Sequence, residues 1–437
     1  MKRVLSSAVM MMMAFTLLLS ACGKSNNSPS DANASKGTNA PTANTEKQAE
    51  EKVTLQMGSW RTEDKAVYEK LIAEFNKKYP NIKIEFAPTK NTEYNTVLNT
   101  ALQTGGGPDI IHLRPYAAGI GLGTAGYIEP ITGLAGLDTF SKDVLAAATG
   151  PDGTVYGVPM ALNIVAVMYN KDIFEKYSLK EPATWAEMLQ TAETLKSNKV
   201  TPFAFGSKDG WIMSLTQGAI GPSGYGGSAF AAQLESGEKK FTDPAYVKSI
   251  QLMKDLTPYF PDKFTGIGAD DMRTLFVTGQ AAMYVMGDFD AAVVRSQNPD
   301  LKFDVFAVPP QEAGGQPTVT SYVDGSYAVN ANSKHKEEAK KFLEFATTKE
   351  FGQLFSTEMN RVSPVPGVEV AEPLVAKYAE LANTISTPYI ILKSFNQGNP
   401  TSKATLENAM QGLYLDKNTV DQVAAELQTN VDTWFKP

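Results

Sequence analysis

The chain has 437 residues, 43% of them hydrophobic and 20% charged, with a net charge of −7. That balance describes a globular protein without the basic footprint that nucleic acid requires. One cysteine and two histidines, His112 and His335, exclude a disulfide framework and a His/Cys metal site; a carboxylate-only calcium site stays open, although no EF-hand spacing occurs.

In chain order, Lys2 and Arg3 precede an uncharged apolar run, Val4 to Leu19, which reads as an export signal. The run ends in Leu19-Ser20-Ala21-Cys22-Gly23, which resembles the lipobox of bacterial lipoproteins. That resemblance implies that residues 1–22 form a lipoprotein signal peptide and that Cys22 carries the acyl chains holding the protein to a membrane. The competing reading of Cys22 is a small apolar residue ending a helix. Residues 23–52 are Ser, Asn, Thr, Ala, Lys and Glu with almost no large apolar side chain, a composition that cannot build a core. They form a tether of about 30 residues, with a reach of roughly 30 Å.

From residue 53 the pattern becomes β-α-β-α-β. Val53 to Met57 alternates as a strand, and Asp64 to Tyr79 places Val67, Leu71, Ile72 and Phe75 at helical spacing before Pro80. Ile82 to Phe86 alternates again. A helix around Tyr94 to Thr104 is broken by Gly105-Gly106-Gly107-Pro108, ahead of the apolar Asp109-Ile110-Ile111. Such alternation predicts a mainly parallel sheet covered on both faces, with ligand beyond the carboxyl ends of its strands. Further α/β segments are Val155 to Tyr169, Trp185 to Ser197, Pro244 to Leu256, Ala281 to Val285, Lys336 to Thr347 and Val420 to Phe435.

Three motifs carry a wider resemblance: Tyr156-Gly157-Val158-Pro159, Met168-Tyr169-Asn170-Lys171-Asp172-Ile173-Phe174, and Pro182-Ala183-Thr184-Trp185-Ala186-Glu187-Met188. With Gly107-Pro108-Asp109-Ile110, Gly126 to Pro130, Phe276 to Met283, Gly287-Asp288-Phe289 and Ala339 to Phe345, they run in order over about 53 to 437. This set resembles the family-1 extracellular solute-binding proteins, the group that contains the maltose binders. The resemblance implies a type II periplasmic-binding-protein fold, two discontinuous α/β lobes joined by crossover strands. Lobe 1 is placed at 53–160 plus 303–348 and lobe 2 at 161–302 plus 349–437, with crossings near Val155 to Ala161, Phe303 to Val308 and Lys349 to Gln353. It also implies a monomeric lipoprotein on the extracytoplasmic face of a bacterial membrane. Such a protein captures a carbohydrate, without cofactor or chemistry, for an ABC permease served by a separate ATPase. Taken as residues, Asn170-Lys171-Asp172 is a turn, Pro182 and Thr184 cap a helix, and Trp185 and Met188 face the core.

A sugar presents apolar C–H faces and a rim of hydroxyls, so its site needs aromatic plates edged by polar groups. Trp60 and Arg61 follow the first strand, and Arg114 and Tyr116 follow the third. By the resemblance, Asn163 stands where maltose binders carry a cleft carboxylate, and Trp211 matches a cleft aromatic. Asp288 and Phe289 match a Gly-x-Trp turn, with Phe289 in place of the tryptophan. Tyr322 and Asp324 precede Gly325, and Arg361 opens the loop Arg-Val-Ser-Pro-Val-Pro. Core burial competes for the aromatics and solvated surface charge for the arginines. Gly121-Leu-Gly123-Thr-Ala-Gly126 fits G-x-G-x-x-G but lacks the strand-turn-helix setting of a dinucleotide site, and no phosphate-binding P-loop occurs. Two rival functions remain open. One is a carbohydrate-active enzyme using paired carboxylates. The other is the same clamp for a uronate, a glycerol phosphate or another small solute, with Arg61, Arg114 and Arg361 as anion partners. Ferric iron is disfavoured, because no Tyr-Tyr pair occurs.

Overall fold

A computed structural model describes residues 52–437. The signal segment, Cys22 and the tether up to residue 51 lie outside the described residues. Eleven strands carry the described chain: β1 (Val53–Ser59), β2 (Ile82–Pro88), β3 (Ile110–Leu113), β4 (Val158–Pro159), β5 (Leu162–Asn170), β6 (Thr201–Phe203), β7 (Ala281–Gly287), β8 (Phe303–Phe306), β9 (Val319–Val323), β10 (Ser326–Val329) and β11 (Ser386–Pro388). They form two sheets, ordered β2-β1-β3-β10-β4 and β11-β9-β5-β7-β6, with β8 also paired to β5.

The first sheet follows the expected β-α-β-α-β reading. Val53, Leu55 and Met57 bury one face of β1, and β1 runs parallel to β2 from Val53↔Ile82 to Ser59↔Pro88. The helix Lys65–Lys78 lays Tyr68, Leu71, Ile72 and Phe75 onto the sheet. Tyr68 takes the buried place expected of Val67, because its ring stacks on Phe86 at 4.5 Å. The turn and cap readings also hold. Asn170 Oδ1 accepts from the Ile173 N–H at 3.0 Å, Thr184 Oγ1 accepts from the Glu187 N–H at 3.2 Å, and Trp185 and Met188 are buried. Gly123 has a packing role: a Cβ there would meet the Tyr156 ring at 2.5 Å.

Each sheet has its own hydrophobic core, and the cores correct the expected lobe boundaries. Phe303, Val305, Phe306 and Val308 belong to the second core, and β8 pairs antiparallel with β5 from Val167↔Phe306 to Asn170↔Phe303. An apolar strand of this kind fits either core by pattern alone, so its placement rests on pairing. The chain therefore returns to the first sheet at Val323 to Ser326, between β9 and β10, and not at Phe303 to Val308. The helix Lys349–Met359 also departs from expectation. Phe351, Phe355 and Met359 repeat every four residues and fill the first core, as does Val365. Leu374 lies in the second core, so the third crossing falls after Val365 rather than at Lys349 to Gln353. The first crossing runs between β4 and β5.

Gly325 makes the second crossing feasible. Its φ is +130°, and a Cβ would lie 2.6 Å from both the Leu113 carbonyl and the Trp60 ring. The chain thus passes close under Trp60 and brings Asp324 beside the carboxyl ends of β1 and β3. Among the described residues no helix is long and apolar enough to cross a membrane.

Candidate functional site

Where the two lobes face each other they enclose a cleft of about 450 Å³. Its first-lobe wall is built from chain that follows parallel strands. Trp60 and Arg61 follow β1, Arg114 and Pro115 follow β3, and Asn91 and Asn95 lie one turn apart on the helix Asn91–Gln103 that follows β2. The second-lobe wall combines Trp211 at the start of the helix Gly210–Tyr225, Phe289 just after β7, and Tyr322 on β9. Arg273 reaches it from the helix Ala269–Val277, and Lys403 and Glu407 from the helix Ser402–Tyr414.

Trp60 is a floor rather than a free plate. It is buried edge-on to Tyr94 at 5.6 Å, and the Arg114 guanidinium covers its ring at 4.0 Å. Arg114 in turn donates from Nε to Asn95 Oδ1 at 2.9 Å and from Nη2 to Asn91 Oδ1 at 2.6 Å. Burial pulls its pKa down to about 10, because only neutral oxygens hold it. The other two cleft guanidiniums are paired: Arg61 Nε lies 2.7 Å from Asp64 Oδ2, and Arg273 Nη2 lies 2.8 Å from Asp290 Oδ1. The Arg61 guanidinium also sits 5.2 Å from the centre of the Phe289 ring, a contact from one lobe to the other.

Trp211 is the aromatic with the freer face, half-buried and 6.5 Å from Phe289 at an angle of 54°. Tyr322 lies 5.2 Å from Tyr389. Behind them Tyr389 Oη donates to Ser214 Oγ at 2.7 Å, and Ser214 Oγ donates to Glu407 Oε1 at 2.6 Å. Lys403 Nζ also pairs with that carboxylate.

Of the residues expected from sequence, Trp60, Arg61, Arg114, Trp211, Phe289, Tyr322 and Asp324 line the cleft. Tyr116, Asn163, Asp288 and Arg361 lie behind its walls. Tyr116 packs its ring in the second core, accepts from the Val323 N–H at 3.2 Å, and holds a strained φ of +58° at the first helical turn after β3. Asn163 and Arg361 are 0% and 2% exposed and bond to each other. Asp288, 1% exposed, accepts from the Ile164 N–H at 3.0 Å, and its other oxygen has no partner among the described residues. Burial raises its pKa to about 6, with Arg361 and the Ile164 bond opposing. These four lie at strand ends or beside chain crossings, buried within the walls and away from the cleft.

The sequence reading missed Asn91, Asn95, Asp209, Arg273, Lys403 and Glu407. The two asparagines had a signal, since they open the helix after a parallel strand. The others come from helices far along the chain and had none.

A family model described as bacterial extracellular solute-binding protein matches residues 58–353. The chain is 28% identical over 344 residues to the multiple sugar-binding protein of Streptococcus mutans, covering 76% of each chain. Among solved structures it resembles a protein of xylan utilisation in the thermophile Caldanaerobius polysaccharolyticus, with a TM-score of 0.75 at 24% identity, covering 86% of this chain and 100% of that one. A sugar transporter protein of Bacillus licheniformis in complex with stachyose superposes with a TM-score of 0.70 at 21% identity, covering 86% and 98%.

Proposed function

This chain belongs to the bacterial extracellular solute-binding proteins, and from that premise we propose that it captures a carbohydrate, foremost an oligosaccharide, between its lobes for an ABC importer. The observation that carries this reading is the pairing of walls across the cleft. Trp211, Phe289 and Tyr322 stand on the second lobe, facing Arg114, Asn91 and Asn95 on the first. Aromatic faces meet C–H faces, while the amides and the guanidinium meet hydroxyls.

The cleft volume lies within the range of small-ligand sites. Its lining holds five cationic and five anionic side chains, a balance that suits a neutral ligand. The names of its relatives point the same way, multiple sugars in S. mutans and stachyose in B. licheniformis. Arg114, the cleft guanidinium without a carboxylate, supports a second reading in which one residue of the saccharide is a uronate.

Capture without chemistry fits the cleft carboxylates, each of which has at least one partner within the walls. Asp209 accepts from the Ala269 N–H at 2.8 Å, Glu407 holds Lys403 and Ser214, and Asp324 holds Arg361. A glycosidase needs one carboxylic acid kept protonated beside the scissile bond. The lipobox at Cys22 supports attachment to the outer face of the membrane, and a separate permease and ATPase would complete the importer.

A thermal-shift panel of neutral and uronic saccharides, glycerol phosphates and polyamines tests the reading. A ligand at 100 times its Kd adds about 2.7 kcal/mol to the folded state, which for a protein of this size raises Tm by about 3 °C. Stachyose, raffinose or xylo-oligosaccharides are expected to give such shifts. Shifts with phosphates or polyamines alone would overturn the carbohydrate reading.

A further inference from the structure

Arg361 is one of the largest fully buried side chains, and its partners come from the first and second crossings between the lobes. Arg361 itself lies ahead of the third, in chain that still precedes Val365, and the next residue, Val362, bridges to Leu162 at the start of β5. Its Nη2 donates to Asn163 Oδ1, just past the first crossing, and to Asp324 Oδ2 at 2.8 Å, inside the second. The backbone at the same place is tied as well, with the Asp324 N–H donating to the Ala161 carbonyl at 2.9 Å and the Leu162 N–H to the Val362 carbonyl at 3.2 Å.

Asp324 is the member of this cluster that reaches the cleft. One of its carboxylate oxygens is held by Arg361, while among the described residues no donor reaches the other, and the residue forms part of the cleft lining. Nothing but Arg361 pairs with this carboxylate at ion-pair distance among the described residues. A carboxylate whose one oxygen is fixed by a rigid guanidinium presents its second oxygen in a defined direction.

We propose that Arg361 is a positioning residue for ligand capture, aiming the free oxygen of Asp324 into the cleft while it ties the first two crossings to the chain that leads into the third, without touching ligand itself. The proposal rests on the carbohydrate reading and narrows it, since a carboxylate oxygen offered this way accepts from a sugar hydroxyl. Lysine at 361 would keep the charge but lose the planar guanidinium that sets the direction of the Nη2 bonds to Asn163 and Asp324. Glutamine would lose both the charge and most of the reach.

The test is calorimetric titration of the full chain with stachyose, or with the saccharide giving the largest thermal shift, using wild type, R361K, R361Q, D324N and the double variant R361Q/D324N. R361Q and D324N are each expected to weaken binding by about tenfold, and R361K by less. Because Arg361 acts through Asp324, the double variant should bind within about threefold of D324N alone. R361Q/W211A serves as the independent pair, where the two losses should multiply. Wild-type affinity in both R361K and R361Q would overturn the proposal. So would losses that multiply in R361Q/D324N, which would assign Arg361 a general structural role. If R361Q does not fold, the cycle is read from R361K with D324N by the same criterion. If wild type binds no saccharide, the carbohydrate reading fails instead.

Discussion

Replacing Arg273 with leucine is expected to destabilise the protein by about 3–5 kcal/mol, because it strands the Asp290 carboxylate in the second lobe. Asp290 is 2% exposed and is held by two parallel bonds, Arg273 Nε to Oδ2 at 3.0 Å and Nη2 to Oδ1 at 2.8 Å, with the buried Tyr284 hydroxyl as its other donor. A hydroxyl alone cannot replace water and a guanidinium around a buried charge. The third Arg273 bond, to Asp270, adds little, since that carboxylate is 88% exposed. For a protein of this size the loss corresponds to a fall in Tm of about 4–6 °C. The double variant R273L/D290L should recover part of it, because removing both charges leaves only the Tyr284 hydroxyl unpaired. Thermal unfolding of the three proteins checks this. A loss below about 1 kcal/mol for R273L would mean that water reaches Asp290.

Trp211→Ala is expected to weaken saccharide binding by about 5- to 150-fold, the loss of one stacking plate worth ~1–3 kcal/mol. Trp211 is the cleaner probe of the cleft aromatics, because its ring is only half-buried and its removal leaves no polar group orphaned. Trp60→Ala would confuse the two effects, since Trp60 supports Arg114, Tyr94 and the Gly325 crossing. Phe289 carries the interlobe contact with Arg61 and lies between these cases. Calorimetry should show the loss in W211A with a Tm close to that of wild type. Unchanged affinity would move Trp211 from the ligand to the packing of its lobe.

The first lobe was legible because its signals are local. Alternation in Val53 to Met57, the four-residue stripe ending at Phe75 and the stops at Pro80 and Gly105 to Pro108 each fix one element, and parallel pairing follows from their order. That logic also placed Trp60, Arg61 and Arg114, which need only stand beyond the ends of parallel strands. The crossings were not legible in the same way. Phe303 to Val308 and Phe351 to Met359 are apolar in patterns that fit either core, so their lobe depends on which surface has room for them. The misplacement of Asn163, Asp288 and Arg361 has the same origin. A polar residue near a crossing can face the ligand or the neighbouring strand, and the choice turns on whether a distant partner such as Asp324 arrives to pair with it. Trp211 and Phe289 came from family resemblance. Lys403 and Glu407 came from neither route, because the helix Ser402–Tyr414 folds back onto the cleft, where Glu407 meets Ser214, 193 residues earlier in the chain.

The most direct measurement is a crystal structure of the protein grown with the saccharide that gives the largest thermal shift. The sugar is expected between the lobes, with a pyranose face on Trp211 and hydroxyls within hydrogen-bonding distance of Arg114, Asn91 and the free oxygen of Asp324. Saccharide bound elsewhere, with an empty interlobe cleft at saturating concentration, would contradict the assignment of this cleft as the site of capture.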